Sequence, residues 1–182
     1  MSEMFSRRVF LRGLGVVAAA AALTACSSTN EVVNQALIEG AVGGIVAADC
    51  KIGRMTYWAA NATVPVYEIS FRIVMTNVSS KPVTLSGDNF ATTLDGTPIP
   101  PFNFSARDVG DADIWRTYDS LTIRPGEERS VALAYEISQP TYDSWYKSSR
   151  TVAVSFTCGN QRVTYTKNSR SDEITVSDIE TL

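Results

Sequence analysis

The sequence contains no histidine among its 182 residues, and it has only three cysteines. The missing histidine excludes histidine general bases, serine–histidine triads and histidine-ligated zinc or copper. A basic excess is also lacking, because 16 lysines and arginines stand against 19 aspartates and glutamates, and this argues against nucleic-acid binding. With 45% apolar and 19% charged residues, the composition is that of one globular domain. We therefore expect a globular protein with no nucleic-acid partner and no cofactor.

The apolar stretch near the N-terminus is too short to cross a membrane as a helix. Its uncharged stretch, Gly13–Ala25, holds thirteen residues, whereas a bilayer core of about 30 Å needs about 20. Basic residues precede this stretch, which is the pattern of a secretory signal peptide. Ser6–Arg12, centred on Arg7 and Arg8, resembles the twin-arginine export motif, and Leu23–Cys26 resembles the lipobox of bacterial lipoproteins. The alternative is an apolar helix packed on the core.

These motifs predict a signal peptide at residues 1–25 and a diacylated Cys26, with residues 26–39 as lipidated N-terminus and tether. Two acyl chains give stable attachment, so we expect a lipid anchor at the extracytoplasmic face of the bacterial membrane. Residues 1–25 carry three arginines and one glutamate, and their removal leaves 13 basic and 18 acidic residues. The resulting net charge of −5 favours a domain that stands off an anionic membrane.

The other two cysteines, Cys50 and Cys158, form an isolated pair, which in an exported protein is typical of a disulfide. Cys50 shares the phase of Val46 and Ala48, and Cys158 shares that of Phe156. If these segments are strands, both thiols point into the core. We therefore expect a Cys50–Cys158 disulfide. The alternative is two buried free thiols that behave as small hydrophobic side chains.

Beyond residue 45 hydrophobicity alternates with a period of two, as in strands with one wet face. The expected strands are Val46–Ile52, Tyr67–Met75, Val83–Leu85, Phe90–Leu94, Leu121–Ile123, Val131–Ile137, Val152–Cys158 and Val163–Tyr165. Seven or eight such strands with short turns predict a single all-β antiparallel sandwich over residues 40–167. The polar residues 168–182 predict either an edge strand at Ile174–Val176 or a loose tail.

Three motifs carry a resemblance to a known family. The strand Val66–Asn77 ends in Thr-Asn, the Ser-x-x-Pro corner Ser79–Pro82 follows, and the turn Pro125–Glu127 opens a later strand. In this order they resemble the telokin-like, immunoglobulin-like domain of many bacterial surface lipoproteins. The resemblance covers about Ala36–Lys167. It implies an immunoglobulin-like sandwich at the cell surface and no catalytic residues.

Two polar patterns are candidate sites. Asp108, Asp111 and Asp113 offer hard oxygen ligands for calcium, but their spacing is not that of an EF-hand, and the alternative is a solvated acidic loop. Ser144 and Lys147 match the Ser-x-x-Lys spacing of penicillin-recognising enzymes, yet the companion motifs are absent. The sequence therefore predicts no catalytic residue and, the aspartate loop aside, no metal site.

Five aromatic residues lie in or beside predicted loops, where aromatic side chains are typical anchors for protein or glycan partners. These candidate binding residues are Trp115, Tyr118, Tyr142, Trp145 and Tyr146. The alternative is that they cover the ends of the core.

The lack of histidine and of any catalytic grouping favours a non-enzymatic binding module for a protein or a cell-envelope polymer. Two alternatives stay open at this point. One is a structural or assembly subunit of an envelope complex. The other is an enzyme that uses carboxylates such as Asp111 and Asp113.

Overall fold

A computed structural model describes residues 40–57, 63–109 and 115–182. The predictions on Arg7, Arg8, Cys26, Asp111 and Asp113 lie outside these ranges. Within them the strands are β1 (Ile45–Tyr57), β2 (Val66–Asn77), β3 (Val83–Ser86), β4 (Phe90–Leu94), β5 (Thr97–Ile99), β6 (Asn103–Asp108), β7 (Arg116–Thr117), β8 (Ser120–Ile123), β9 (Glu128–Glu136), β10 (Thr151–Cys158), β11 (Gln161–Asn168), β12 (Ile174–Val176) and β13 (Glu180–Thr181). A 3-10 turn spans Gly87–Asn89, and one short helix, α1, spans Gln139–Asp143.

The strands form two main sheets. The first has the order β1-β2-β9-β6-β7, and the second has the order β12-β11-β10-β4-β5, with β13 also paired to β11. β3 and β8 form a separate two-stranded ladder. Every pairing is antiparallel, so the predicted all-β sandwich is confirmed. The described residues contain more strands than the seven or eight expected, because several have only two or three residues and carry no readable alternation.

The core lies between the two sheets and is rich in aromatic rings. Phe71 of β2 packs against Phe90 of β4 and Tyr165 of β11, with ring centroids 6.1 and 5.6 Å apart. Phe90 also contacts Phe104 of β6 and Phe156 of β10. Each ring comes from the apolar phase of its strand, because successive side chains of a strand point to opposite faces. The alternation predicted for β2, β9 and β10 is therefore what holds the sheets together.

A buried asparagine joins the three motifs of the family resemblance. The Asn77 amide donates hydrogen bonds of 2.8 Å to the carbonyl oxygens of Lys81 and Ile123. Its Oδ1 accepts from the backbone N–H and the hydroxyl of Ser79, at 2.9 and 2.7 Å. The Asn77 backbone N–H donates to the Glu127 carbonyl oxygen at 3.0 Å. Asn77 thus ties the end of β2 to the Ser-x-x-Pro corner and to the Pro-Gly-Glu turn.

A β-bulge in β1 changes which side chains face the core. The register with β2 shifts after Ala48, and Asp49 has a φ of 49°. A bulge adds one residue to a strand and so reverses its alternation. Ala47 and Cys50 are buried on either side of it. Val46 and Ala48 are only partly buried, and their predicted inward phase is wrong for this reason.

The predicted disulfide is also wrong, because Cys50 and Cys158 are free thiols. Cys158 Sγ lies 3.8 Å from the carbonyl oxygen of Gly43. Cys50 follows Gly43 by seven residues, most of them in β1. A strand rises about 3.3 Å per residue, so Cys50 lies well away from Gly43 and from Cys158 beside it. This separation exceeds the roughly 7 Å that a disulfide allows between Cα atoms.

The two thiols are structural. Burial raises the pKa of both the Cys50 and the Cys158 thiol, so each stays protonated and packs as a small hydrophobic side chain. Gly43 has a φ of 57°, and a Cβ at this position would collide with Cys158 Sγ. The close approach of Gly43 to Cys158 therefore requires glycine.

The C-terminal segment adds strands at the edge of the second sheet. β12 pairs with β11 through Lys167 and Ile174, and β13 pairs with β11 through Gln161 and Thr181. Ile174 is buried. Of the two alternatives for residues 168–182, the structure has the edge strand. No helix in the described ranges combines the length and the apolarity that a membrane crossing requires.

Candidate ligand-binding cleft

The outer face of the first sheet carries a polar cleft over its central strands. Alternation along β2 directs Glu68, Ser70 and Arg72 away from the core, and the β9 residues paired with Ser70 and Arg72 are alanines. Small side chains on β9 leave room between the taller side chains of the neighbouring strands. The resulting space, which we call the outer cleft, measures about 360 Å³, within the range of ligand pockets. It is lined by Glu68, Ser70, Arg72, Asn103, Ser105, Trp115, Ala132, Leu133 and Ala134.

Glu68 is the most unusual residue of the outer cleft. The residue as a whole is only 7% exposed, but its carboxylate oxygens keep access to the cleft and have no hydrogen-bond or ion-pair partner among the described residues. Burial raises the pKa of the Glu68 carboxyl, and the nearby charge of Arg72 offsets this only in part. Glu136 lies directly opposite Glu68 on β9, is exposed, and adds a second negative charge on the same face. Glu68 is thus a partly desolvated acceptor at the wall of an open cleft.

Arg72 and Trp115 form the opposite, cationic and aromatic part of the outer cleft. The Arg72 Nε donates to the Ser70 hydroxyl at 3.3 Å, and its Nη2 donates to the Met55 sulfur at 3.0 Å. The guanidinium groups of Arg72 and Arg107 lie 5.5 and 5.0 Å from the ring centroid of Trp115, within cation–π distance. These contacts hold the indole against the sheet and orient the guanidinium of Arg72.

Asn103 of β6 presents an oriented amide. Its Oδ1 accepts hydrogen bonds from the hydroxyls of Ser105 and Thr117, at 3.0 and 3.2 Å. Because both hydroxyls donate to the amide oxygen, the Asn103 Nδ2 is turned away from them. The Asn103 Nδ2 makes no hydrogen bond with the described residues. The outer cleft therefore offers an amide donor, a guanidinium donor and a carboxylate acceptor.

The five predicted aromatic anchors divide into different roles. Trp115 lines the outer cleft, as the binding hypothesis expects. Trp145 is 1% exposed, so the prediction of a surface anchor at this position is wrong and the side chain belongs to the core. The tryptophan is drawn inward because α1 closes one end of the sandwich there. Tyr118 is partly buried against the core.

Tyr142 and Tyr146 enclose an arginine. The guanidinium of Arg54 lies 4.3 Å from the Tyr142 ring centroid and 4.6 Å from that of Tyr146. Arg54 Nη1 also donates to the Tyr142 carbonyl oxygen at 2.6 Å. Tyr67 packs on Tyr142, with ring centroids 5.0 Å apart. These tyrosines therefore fasten the α1 segment to β1 and β2, which is a structural role.

The remaining polar candidates do not form a site in the described residues. Asp108 forms an ion pair with Arg129, and no group of three potential metal ligands occurs in the described ranges. Ser144 donates to the Thr141 carbonyl oxygen at 3.2 Å and accepts from Arg150 at 3.1 Å. These bonds stabilise the end of α1.

Sequence reasoning identified one lining residue, Trp115, and missed Glu68, Arg72 and Asn103. The alternation of β2 correctly predicts that Glu68 and Arg72 face away from the core. A cleft, however, depends on the strand next to it in space, and β9 lies about 60 residues away in sequence. The available signal was the pair Ala132 and Ala134, two small residues on the wet phase of a strongly apolar strand.

Replacement of Glu68 by glutamine tests its desolvation. The pKa of Glu68 is raised in the folded state, so its carboxylate weakens folding at neutral pH and the penalty disappears as pH falls and the group protonates. Glu68→Gln should therefore raise the free energy of unfolding by about 1 kcal/mol at pH 7, and the gain should shrink toward pH 3. Urea unfolding of both proteins at the two pH values measures this.

Two references make that measurement specific. Glu173 is exposed, and Glu173→Gln should change stability by less than about 0.5 kcal/mol at either pH. Asp95 has a lowered pKa because it accepts a hydrogen bond from Arg150, so its stabilising contribution is lost toward low pH. This loss is the same in both proteins and cancels in the difference between their free energies of unfolding. A pH-independent gain for Glu68→Gln, or a loss at pH 7, would contradict the assignment.

No protein-family model matches the chain, and no curated protein matches it. Three solved structures resemble it in fold. A protein of unknown function from Listeria monocytogenes is 12% identical with a TM-score of 0.40, over 66% of this chain and 70% of that one. The putative lipoprotein YcdA of Bacillus subtilis is 10% identical with a TM-score of 0.44, over 78% of this chain and 40% of that one. An uncharacterised β-sandwich protein of Clostridium difficile is 15% identical with a TM-score of 0.40, over 68% and 83%. At these identities the likeness is one of fold alone.

Proposed function

We propose that the chain is a non-enzymatic, extracytoplasmic binding module that is anchored by a lipid on Cys26 and takes an envelope ligand in the outer cleft. The export and lipobox motifs support the location, and the net charge of −5 without residues 1–25 supports a domain held off the membrane surface. The outer cleft lies on a wet sheet face, on a rigid part of the fold.

The observation that carries the proposal is the carboxylate of Glu68, which is partly desolvated, faces the open cleft and has no hydrogen-bond partner among the described residues. A polar group that loses all of its water without gaining a hydrogen bond destabilises the fold by about 1–3 kcal/mol, and a partial loss, as at Glu68, has a smaller effect of the same sign. Natural proteins retain such penalties where function needs the group. The side chains around Glu68 are held by internal contacts, as in a site organised before its ligand arrives.

The lining favours binding over hydrolysis. A glycosidase-type reaction needs two carboxyl groups on either side of the scissile bond, about 5–9.5 Å apart. Among the described residues the outer cleft is lined by one, Glu68, since Glu136 lies outside the lining. The other polar groups are a guanidinium, an amide and hydroxyls, which recognise a ligand without transferring its protons at neutral pH.

A capture experiment with the full chain tests the proposal. Tagged protein purified in detergent should retain material from a cell-envelope extract. Ala132 forms part of the cleft floor, so Ala132→Leu should lower the retained amount about tenfold by filling the space. Ala91 is exposed on the second sheet, and Ala91→Leu adds the same side chain away from the cleft and should retain as much as the wild type.

The outcomes separate the competing functions. Equal retention by wild type and Ala132→Leu would contradict a binding role of the cleft and favour an assembly subunit. In the same preparations, Cys26→Ala protein should be released from the membrane fraction or remain unprocessed. Membrane-bound, mature-sized Cys26→Ala protein would contradict the lipid anchor.

A further inference from the structure

We propose that the ligand of the outer cleft is a neutral saccharide, whose hydroxyls bind Glu68, Arg72 and Asn103 while a sugar ring rests against Trp115. This inference rests on the proposed function and names its ligand class. Three properties of the cleft carry it, namely its charge balance, its mixture of donors and acceptors, and its one aromatic wall.

The charge balance disfavours a strongly charged ligand. Where the structure describes the lining, it contains one carboxylate, Glu68, and one guanidinium, Arg72. An anion would meet Glu68 at the wall and Glu136 directly across the strand pair, where like charges repel. A cation would meet the guanidinium of Arg72 at close range. An uncharged ligand has neither penalty, because it needs only to exchange hydrogen bonds with both groups.

The mixture of donors and acceptors suits a polyol. Glu68 can only accept while ionised, whereas the Arg72 guanidinium and the Asn103 Nδ2 can only donate. A hydroxyl both donates and accepts, so one pair of neighbouring sugar hydroxyls can satisfy all three groups. Hydrogen bonds to the charged partners are the stronger ones, which places Glu68 and Arg72 at the centre of recognition.

The wall and the floor suit a ring with one apolar side. The guanidinium groups of Arg72 and Arg107 lie over part of the Trp115 ring, and the part of the indole that lines the cleft forms an aromatic wall. The C–H groups of a sugar ring can pack against such a surface while its hydroxyls turn toward Glu68. Ala132 and Ala134 keep the floor low, and a space of about 360 Å³ belongs to the small end of ligand pockets.

Titration of the full chain in detergent with cellotriose, maltotriose and triacetylchitotriose tests this inference. Inorganic phosphate and spermidine serve as anionic and cationic probes of similar or smaller size. Isothermal calorimetry gives the Kd, and saturation-transfer NMR identifies the ligand protons near the protein. We expect at least one neutral trisaccharide to bind, with its ring C–H protons in contact with the protein, and neither charged probe to bind in the cleft.

Variants locate the binding. Glu68→Gln and Trp115→Ala should each raise the Kd about tenfold or more, because glutamine offers only a weaker, neutral hydrogen bond and alanine removes the aromatic wall. Two matched changes outside the cleft, Glu173→Gln and Tyr146→Ala, should leave it within about twofold, since neither residue lines the cleft. Thermal unfolding of each variant separates lost contacts from a lost fold.

Each result bears on the inference. If no trisaccharide binds, or binding is unchanged by Glu68→Gln and Trp115→Ala, the saccharide assignment is overturned. Binding of phosphate or spermidine that depends on Glu68 overturns it also. If saccharides fail while envelope capture still depends on Ala132, the ligand class is wrong and the binding function stands. If capture is independent of Ala132 as well, the saccharide assignment and the binding function are both overturned. Release of new reducing ends from a saccharide would show hydrolysis in place of binding.

Discussion

Replacement of Asn77 by alanine should lower the free energy of unfolding by about 3–5 kcal/mol. The side chain is fully buried and makes four hydrogen bonds, two to carbonyl oxygens and two to Ser79. Alanine removes all four and leaves the buried Ile123 carbonyl without this partner. A buried polar group without a partner costs its full desolvation penalty, so the loss of stability exceeds that from removing an ordinary surface hydrogen bond. Urea unfolding followed by circular dichroism measures the change.

A second variant identifies which bonds matter. Asn77→Asp keeps an acceptor for Ser79 but turns the donor facing Lys81 and Ile123 into an oxygen. Burial and the facing carbonyl oxygens would raise the pKa of the new carboxyl, so the variant should lose more stability as pH rises. Asn160→Ala, in an exposed hairpin turn, should change stability by less than about 0.5 kcal/mol. Similar losses for Asn77→Ala and Asn160→Ala would contradict the role of Asn77.

The strands whose alternation is strong could be predicted from the sequence. β2 and β9 each carry large apolar side chains at every second position, and those residues are buried as expected: Ile69, Phe71, Ile73, Met75, Val131, Leu133 and Tyr135. The β10–β11 hairpin also forms across Gly159 and Asn160, with Cys158 paired to Gln161. In these elements local pattern and tertiary burial agree, which makes them readable.

The candidate site could not be predicted because the sequence pattern does not reveal β6, one of the strands that line it. β6 is a central strand, but only Phe104 and Ala106 mark its inward phase. Its outward residues Asn103 and Ser105 are small and polar, as in a loop. Those side chains are the ones that line the outer cleft, so the composition that makes the site also hides the strand. The β1 bulge was missed because Asp49 adopts its positive φ within an otherwise regular strand.

Glu68 shows how stability and binding are opposed in this fold. The carboxylate is desolvated by its neighbours, whereas the guanidinium of Arg72 is engaged with Ser70 and Met55. A glutamine at this position should fold more stably and bind a hydroxyl less strongly. A variant that is more stable but binds its ligand less strongly cannot be explained by general damage to the fold, because such damage lowers both stability and binding.

Replacement of Trp145 by alanine should lower the free energy of unfolding by about 3–5 kcal/mol, the range for large aromatic side chains removed from a core. Trp145 is 1% exposed and follows α1, whose N-terminus is capped by the Ser138 side chain. Loss of the indole leaves a cavity beneath this segment and releases its contact with the sheets. Urea unfolding gives the change, and Trp145→Phe should recover part of it by refilling the space.

The neighbouring Tyr146 is the matched control for this prediction. It is 61% exposed and contacts Arg54 only from the outside, so Tyr146→Ala should lower stability by about 1 kcal/mol or less. The two residues are adjacent and aromatic, and the sequence assigns them the same role, yet one belongs to the core and the other to the surface. Equal losses for Trp145→Ala and Tyr146→Ala would contradict that difference. If only Trp145→Ala loses much stability, any weaker ligand capture by that variant is explained by unfolding. Weaker capture by Trp115→Ala is then the result that measures binding in the outer cleft.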